Sequence, residues 1–289
     1  MWPLVPRLAP IAFVLLWSSS FVAARVGLRH LSPLLFVAIR LSGCAAFLIL
    51  VMLVRDRSWG RWRGLAHCAV AGALVNAVGL MAPHVGLTMT AAAPIALVQS
   101  LTPLLTGLAG VAVLGETLRH RQWLGLALGV AGVALVVGLA AVDSVVRLEG
   151  MLLAGVGVLG LVAGTIWFRR FCREVPLLPG AAAQFLAAAA VGWLGMALFE
   201  TPRADWTWAT VAATAWNTGA VSLGGMALYF FMLSRGPAAR TTANFYMVPG
   251  TVSILGWALL GESLSILAIL GFVVAGIGCW LVSSPPASR

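Results

Sequence analysis

The groups in this sequence that could do chemistry are polar side chains set inside long apolar runs. Trp17, Ser18 and Ser20 stand in the first run, Asn76 and His84 in the third, and Gln99 and Thr102 in the fourth. Thr165 and Trp167 follow in the sixth, Asn217 and Tyr229 in the eighth, and Asn244 and Tyr246 in the ninth. Each is costly in hydrocarbon unless it finds a partner or faces a cavity. Hydroxyls and amides can take the charged ends of a small zwitterion, and aromatic faces can take its side chain or a cation. All of these are candidate substrate-binding residues. Arg40 joins them as the one arginine well inside a run, about 12 Å from its nearer end at 1.5 Å per residue. It either snorkels outward, pairs within the protein, or binds an anion such as a carboxylate. His84 is either a hydrogen-bonded core residue or a coupling group.

Two prolines mark where the backbone could open. Pro103 and Pro249 fall inside the fourth and ninth runs. An interior proline removes a donor and frees the carbonyl four residues earlier, here Gln99 and Phe245. Broken helices at equivalent places in two halves point to a transport site, whereas a plain kink would serve packing alone. Both are candidate hinges. Glu116 and Glu262 precede Thr117 and Ser263, residues that suit N-caps, so their carboxylates read as structural. No phosphate loop, Gly-x-Ser-x-Gly, carboxylate pair or metal-spaced histidine cluster occurs, so neither an enzyme, a cofactor nor a metal is expected. Cys44, Cys68, Cys172 and Cys279 lack metal-ligand spacing and read as small core residues.

The elements that must carry these groups are membrane helices. The chain is 61% hydrophobic and 9% charged, with mean hydropathy +1.02. A soluble domain carries about 25% charged residues. Runs near 20 residues cross the hydrocarbon as helices, whereas barrel strands alternate over about 10. Ten runs are predicted: 8–24, 32–54, 64–86, 91–114, 123–141, 147–168, 178–199, 210–232, 239–260 and 265–283. The expected fold is all-α and membrane-integral.

The pattern also repeats. Gly115-Glu116-Thr117-Leu118 returns 146 residues later as Gly261-Glu262-Ser263-Leu264, and the same shift carries Pro103 onto Pro249, Gly125 onto Gly271 and Gly132 onto Gly278. The chain is therefore predicted to be two five-helix repeats, 1–144 and 145–289. An odd helix number makes the second repeat inverted relative to the first. Small residues at 125, 129 and 132, and at 271, 275 and 278, form close-packing faces, read as intramolecular in preference to dimer-forming.

The formal charge of +10 comes with 18 arginines and no lysine. With the N-terminus inside, thirteen arginines fall on the inner side and four outside. This bias predicts cytoplasmic termini in an inner, plasma-type membrane. The arginines are dispersed over short connections, which excludes the contiguous basic face that nucleic acid needs. Residues 1–24 have the look of a secretory leader. Segment 15–22 has its counterpart at 161–168, however, so it is read as a structural helix.

The Leu15-Leu16-Trp17-Ser18-Ser19-Ser20-Phe21 entry, Arg40, the two proline-bearing runs and the paired Gly-Glu-Thr-Leu and Gly-Glu-Ser-Leu ends resemble the EamA-type members of the drug/metabolite transporter superfamily. Bacterial aromatic amino-acid exporters belong to that group. The resemblance implies a ten-helix carrier that exports or exchanges amino acids and related metabolites. It also implies a central cavity among helices one, three, four, six, eight and nine. The second copy departs from the first at Ala163-Gly164-Thr165, which replaces Trp17-Ser18-Ser19. Expected partners are a small-molecule substrate and the lipid bilayer. Two other readings stay open: efflux of cationic drugs, and a non-transporting membrane assembly or lipid-handling protein.

Overall fold

A computed structural model describes residues 5–55, 62–89, 95, 98–142, 147–260 and 266–283. The regular structure among the described residues is all helical, apart from one isolated antiparallel bridge between Leu31 and Ala204. In chain order the helical rods are α1 (Val5–Gly27), α2 (Pro33–Val54), α3, α4 (Thr102–Leu114), α5 (His120–Val142), α6 (Leu148–Phe171), α7 (Leu177–Phe199), α8, α9 and α10 (Ile266–Ser283). Three rods are interrupted. The α3 rod runs Trp62–Gly72, then a π-helical stretch Ala73–Val78, then Gly79–Met89. The α8 rod runs Trp208–Trp216, a π-helical stretch Asn217–Gly225, then Met226–Arg235. The α9 rod runs Ala238–Thr242, a 3₁₀ turn Ala243–Tyr246, then Met247–Leu260. Shifting 73–78 by 146 residues places it inside Asn217–Gly225, so the two π-helical stretches coincide under that shift.

Among the described residues six helices are long and apolar enough to cross a membrane: those of α2, α3, α5, α6, α7 and α10. Leu8–Ala24 and Thr102–Leu114 are shorter apolar helices. Their outer faces expose large apolar side chains such as Leu50, Leu194 and Leu270, as a lipid-facing surface requires. Local sequence explains the ends. Pro33 opens α2, where its missing N–H is no loss. Thr207 caps α8 by accepting from the Thr210 N–H at 3.2 Å. Gly115, at φ 65°, ends α4 in the left-handed conformation.

Helices in lipid gain little from apolar burial and associate through close backbone approach instead. Here α5 packs on α10, and α2 on α7. The α3 rod packs on α6 and α7, while α1 packs on α8 and α9. A Cβ on Gly125 would lie 2.7 Å from the Gly278 carbonyl oxygen, and one on Gly271 would lie 2.6 Å from that of Gly132. Rising numbers on α5 thus meet falling numbers on α10, so these two helices run antiparallel. The α2–α7 pair is antiparallel as well. Trp193 Nε1 donates to Ser42 Oγ at 2.8 Å, while the Leu34 and Leu35 N–H groups both reach the Glu200 carboxylate at 2.9 Å. The small-residue faces expected to pack within one chain do so.

The prolines and the turn after α4 take the following places. Pro103 lies in the first turn of α4, which begins at Thr102; residues 98–99 before it are helical and residues 100–101 form a turn, so the run is interrupted just ahead of the proline. Pro249 does sit inside a helix, just after the 3₁₀ turn, where the Met247 N–H donates to the Asn244 carbonyl. Thr117, expected to cap the fifth helix, does not do so, since α5 starts at His120. Glu262 lies outside the described residues.

Candidate functional site

Arg40 is buried, with its side chain wholly out of solvent. Its Nε donates to Ser222 Oγ on α8, and its NH1 reaches Ser20 Oγ on α1 at 3.5 Å. Ser20 in turn donates to Asn217 Oδ1 at 2.7 Å, and Asn217 Nδ2 donates to the Ala213 carbonyl at 3.1 Å. The π-helical stretch explains this grouping. Asn217 and Ser222 are five apart, which in an α-helix points them about 140° apart. A π-helix bonds i to i+5 and brings such a pair onto one face. The α2 backbone approaches closely here: a Cβ on Gly43 would lie 2.8 Å from Thr218 Cγ2.

Toward the end of the bundle that carries both termini, aromatic rings fill the centre. Phe13 and Trp17 from α1 meet Phe245 from α9 at 5.3 and 5.2 Å between centroids, both edge-on. Phe13 also stacks on Tyr229 of α8 at 5.8 Å. The Tyr229 hydroxyl lies 2.6 Å from Thr165 Oγ1. Thr165 spends its own proton on the Leu161 carbonyl at 2.6 Å, so Tyr229 is the donor of that pair. Tyr229→Phe is therefore expected to lower stability by about 1 kcal/mol, the usual net worth of one buried hydrogen bond. Thr165 keeps its own bond. Denaturant titration of the purified protein in detergent checks this.

Beyond the rings, toward the termini, a groove of about 660 Å³ lies between α1, α8, α9 and α10. Its walls include Val14, Arg240, Thr241, Asn244 and Met247. A second recess, of about 400 Å³, opens at the same end around Glu116, Arg169, Arg173 and Arg235. Glu116 Oε1 is 3.0 Å from Arg169 NH2 and accepts the Ala238 N–H at 3.2 Å. The opposite end is laced by the 30–35 and 200–205 segments. Ser32 N–H donates to the Arg203 carbonyl at 3.0 Å, and Asp205 N–H to that of His30 at 2.9 Å.

The helical rods, their paired glycine contacts and the buried polar cluster agree with one family of proteins. A model of the EamA-like transporter family matches residues 8–138 and again 148–284. The chain belongs to the EamA-like transporter family. It is 24% identical over 265 residues to the uncharacterized inner membrane transporter YedA of Escherichia coli (strain K12), covering 89% of this chain and 83% of that one. It is 22% identical over 276 residues to the uncharacterized transporter YoaV of Bacillus subtilis (strain 168), covering 94% of each. A protein of known crystal structure superposes with a TM-score of 0.81 at 23% identity, over 96% of this chain and 95% of its own. That likeness shows the fold.

Within this EamA-type fold the predicted residues separate into groups. Ser20, Arg40 and Asn217 form one cluster, joined by Ser222 of α8. His84 sits beside it, within electrostatic reach of Arg40, its ring 6.2 Å from Phe36 and its Nδ1 on the Leu80 carbonyl at 2.7 Å. Trp17, Thr165 and Tyr229 belong to the aromatic centre. Ser18 is buried and reaches the Val248 carbonyl at 3.5 Å. Trp167 turns instead toward α3, 5.6 Å from His67, with its buried Nε1 unpartnered. Asn244 lines the groove, its Nδ2 donating to the Thr241 carbonyl at 2.8 Å. Gln99 is half-buried and Thr102 is buried at the start of α4. Asn76 is fully buried in its π-helical stretch, and neither polar atom of its side chain has a hydrogen-bond partner.

Tyr246 is placed elsewhere. Its ring packs on α5, where a Cβ on Gly129 would lie 2.2 Å from it, and its hydroxyl donates to the Leu126 carbonyl at 3.0 Å. It therefore braces α9 against α5. Sequence reasoning passed over Phe13 and Phe245, which form the middle of the aromatic cluster. A phenylalanine in an apolar run carries no signal that separates a central ring from a lipid-facing one.

Proposed function

We propose that this chain is a multi-pass inner-membrane carrier that moves amino acids or related small metabolites by alternating access. It works between two inverted five-helix units, 1–144 and 145–289. The observation that carries this reading is the packing of α5 on α10. These helices are equivalent under the 146-residue shift, they run antiparallel, and their glycine contacts exchange with each other: Gly125 with Gly278, Gly271 with Gly132. Antiparallel packing of equivalent helices is the signature of an inverted repeat. Two matches of one family model, one in each half, support the same division. Two nearly equivalent halves can exchange conformations, and each exchange turns a site between them from one side of the membrane to the other.

The arginine bias assigns the end that bears both termini to the cytoplasm. The groove between α1, α8, α9 and α10 then opens toward the inner side, and the interlaced 30–35 and 200–205 segments close the outer side. Orphaned polar atoms on Asn76, Thr106 and Gln184 speak for water access during the cycle and against a dry assembly subunit. Export of cations finds no support, since the charge buried in the bundle is that of Arg40.

The test is purified protein in liposomes, loaded or challenged with a panel of labelled amino acids, with and without a pH gradient. Uptake above protein-free vesicles for at least one amino acid is expected. A panel in which nothing moves overturns the reading.

A further inference from the structure

We propose that Arg40 is the counter-charge for a substrate carboxylate, so that the carrier selects monocarboxylates with an apolar body and treats the substrate's amino group as dispensable. This deepens the carrier reading above and rests on it.

The case begins with an electrostatic imbalance. A buried guanidinium costs several kcal/mol unless it is paired and hydrogen-bonded. Arg40 is wholly buried, and its hydrogen bonds go to the neutral hydroxyls of Ser222 and Ser20. The acids that lie among the described residues are otherwise engaged or remote. Glu116 pairs with Arg169 at the termini end. Both Glu200 oxygens are taken by the Leu34 and Leu35 N–H groups, roughly 8 Å along α2 from Arg40 at 1.5 Å per residue. Structural pairing of Arg40 with a carboxylate of its own chain therefore does not occur in the described protein.

The cluster around Arg40 is oriented to accept an anionic ligand. Ser20 has spent its proton on Asn217, and Asn217 has spent its amide on the Ala213 carbonyl. Ser222 is held on the same face by the π-helical stretch. A guanidinium carries five N–H donors in a fork that fits a carboxylate with two parallel bonds. Serine hydroxyls occupy part of that fork and can rotate to donate once an anion arrives. The arrangement is built once. The repeat equivalent of Arg40 is Leu186, so one carboxylate binds per carrier and the two halves contribute unequally.

The apolar body of the substrate is read from what stands one to two turns away on the same helices. Trp17 is three residues before Ser20 on α1, and Phe13 is seven before it, roughly 10 Å at 1.5 Å per residue. Tyr229 is seven residues beyond Ser222 on α8. Phe13, Trp17, Tyr229 and Phe245 offer edges and faces to an aromatic or branched aliphatic group. Among the described residues no carboxylate bonds to Arg40 or to its partners, so nothing in the cluster requires an ammonium group.

The experiment is competition in proteoliposomes of the full chain, with labelled phenylalanine and leucine as probes. Unlabelled 3-phenylpropanoate lacks the amine, and phenylalaninamide lacks the carboxylate. The parent protein is expected to be inhibited by 3-phenylpropanoate at a concentration at least tenfold lower than phenylalaninamide requires. Arg40→Gln is expected to erase that preference, and Arg40→Lys to retain part of it. Ser222→Ala and Ser20→Ala, which leave the charge in place, are expected to weaken 3-phenylpropanoate inhibition several-fold; they serve if Arg40→Gln does not fold. Equal potency of the two analogues on the parent, or an unchanged preference in Arg40→Gln, overturns the inference while leaving the carrier reading intact. Absence of uptake of every labelled amino acid by the parent overturns both.

Discussion

Replacing Gly132 by leucine is expected to leave no recoverable folded protein. A Cβ at this position would lie 2.3 Å from the Ala275 amide nitrogen and 2.7 Å from the Gly271 carbonyl oxygen. These are backbone atoms of the facing helix and cannot rotate aside. Overpacking a core that can give way costs about 1–3 kcal/mol, and more where it cannot. Here α5 and α10 would have to separate along their length. That would also withdraw Tyr246 from its seat against Gly129. The loss should exceed about 3 kcal/mol, a large fraction of the roughly 5–15 kcal/mol that holds a typical domain folded. The readout is the yield of monodisperse protein after detergent extraction and its thermal midpoint. A Gly132→Leu protein that purified with an unchanged midpoint would show that the two helices do not meet here.

The same contact gives a sharper comparison. Gly125→Ala and Gly271→Ala are equivalent changes, each driving a methyl into the carbonyl oxygen of a glycine on the facing helix at 2.7 and 2.6 Å. Their costs should agree within about 0.5 kcal/mol, near the limit to which separate sites are usually comparable. Gly155 and Gly219 face open space within 4 Å, so alanine there should be close to neutral. Unequal costs for the equivalent pair would speak against a two-fold relation between the halves.

How much was legible in the sequence depends on the range of the interaction. Small residues three or four apart on α5 and α10 announce a close-packed face, because helical period alone puts them there. The shift of 146 residues, read from glycines, prolines and a Gly-Glu pair, likewise needs no coordinates. The Arg40 cluster was half legible. A buried arginine in an apolar run asks for a partner, but Ser222 and Asn217 share a face through a π-helical stretch that a 3.6-residue period does not anticipate. Tyr246 was assigned to the centre on residue type. The 3₁₀ turn changes the rotation of α9 just before it and sends its ring toward α5. Pro103 looked like an interior break because the apolar run continues on both sides of it. In the fold the run is interrupted by a turn at residues 100–101, and Pro103 stands in the first turn of the helix that follows. Glu116 shows the same limit, since its partners lie far away in sequence and no local pattern names them.

Glu116→Ala is expected to loosen the termini end of the protein and change transport there more than anywhere else. Glu116 follows Gly115 in the turn after α4 and holds two segments distant in sequence, Arg169 on α6 and the Ala238 N–H at the start of α9. Arg169 NH1 goes on to the Leu233 carbonyl at 3.1 Å, and Arg173 Nε to that of Ser234 at 3.1 Å, so the junction of α8 and α9 is gathered at one point. Removing one partner of a fully buried ion pair costs about 3–5 kcal/mol. With both side chains 12% exposed beside an open recess, about 2 kcal/mol is the expected loss. Glu116 Oε2 and Arg169 Nε have no hydrogen-bond partner, so the pair rests on a single strand of contact that a small movement can break. That is what a gate between halves needs, strong enough to favour closure and weak enough to open. In Glu116→Ala, a cysteine placed at Gln122 or Pro237 should react several-fold faster with a membrane-impermeant thiol reagent added from the inner side. The exchange Glu116→Arg with Arg169→Glu should restore the ion pair but leave an arginine facing the Ala238 N–H, which needs an acceptor. It should therefore recover less than half of the lost stability. Unchanged labelling and an unchanged midpoint in Glu116→Ala would mean that the contact closes nothing. Full recovery in the exchanged pair would mean that Ala238 takes no part in the clamp.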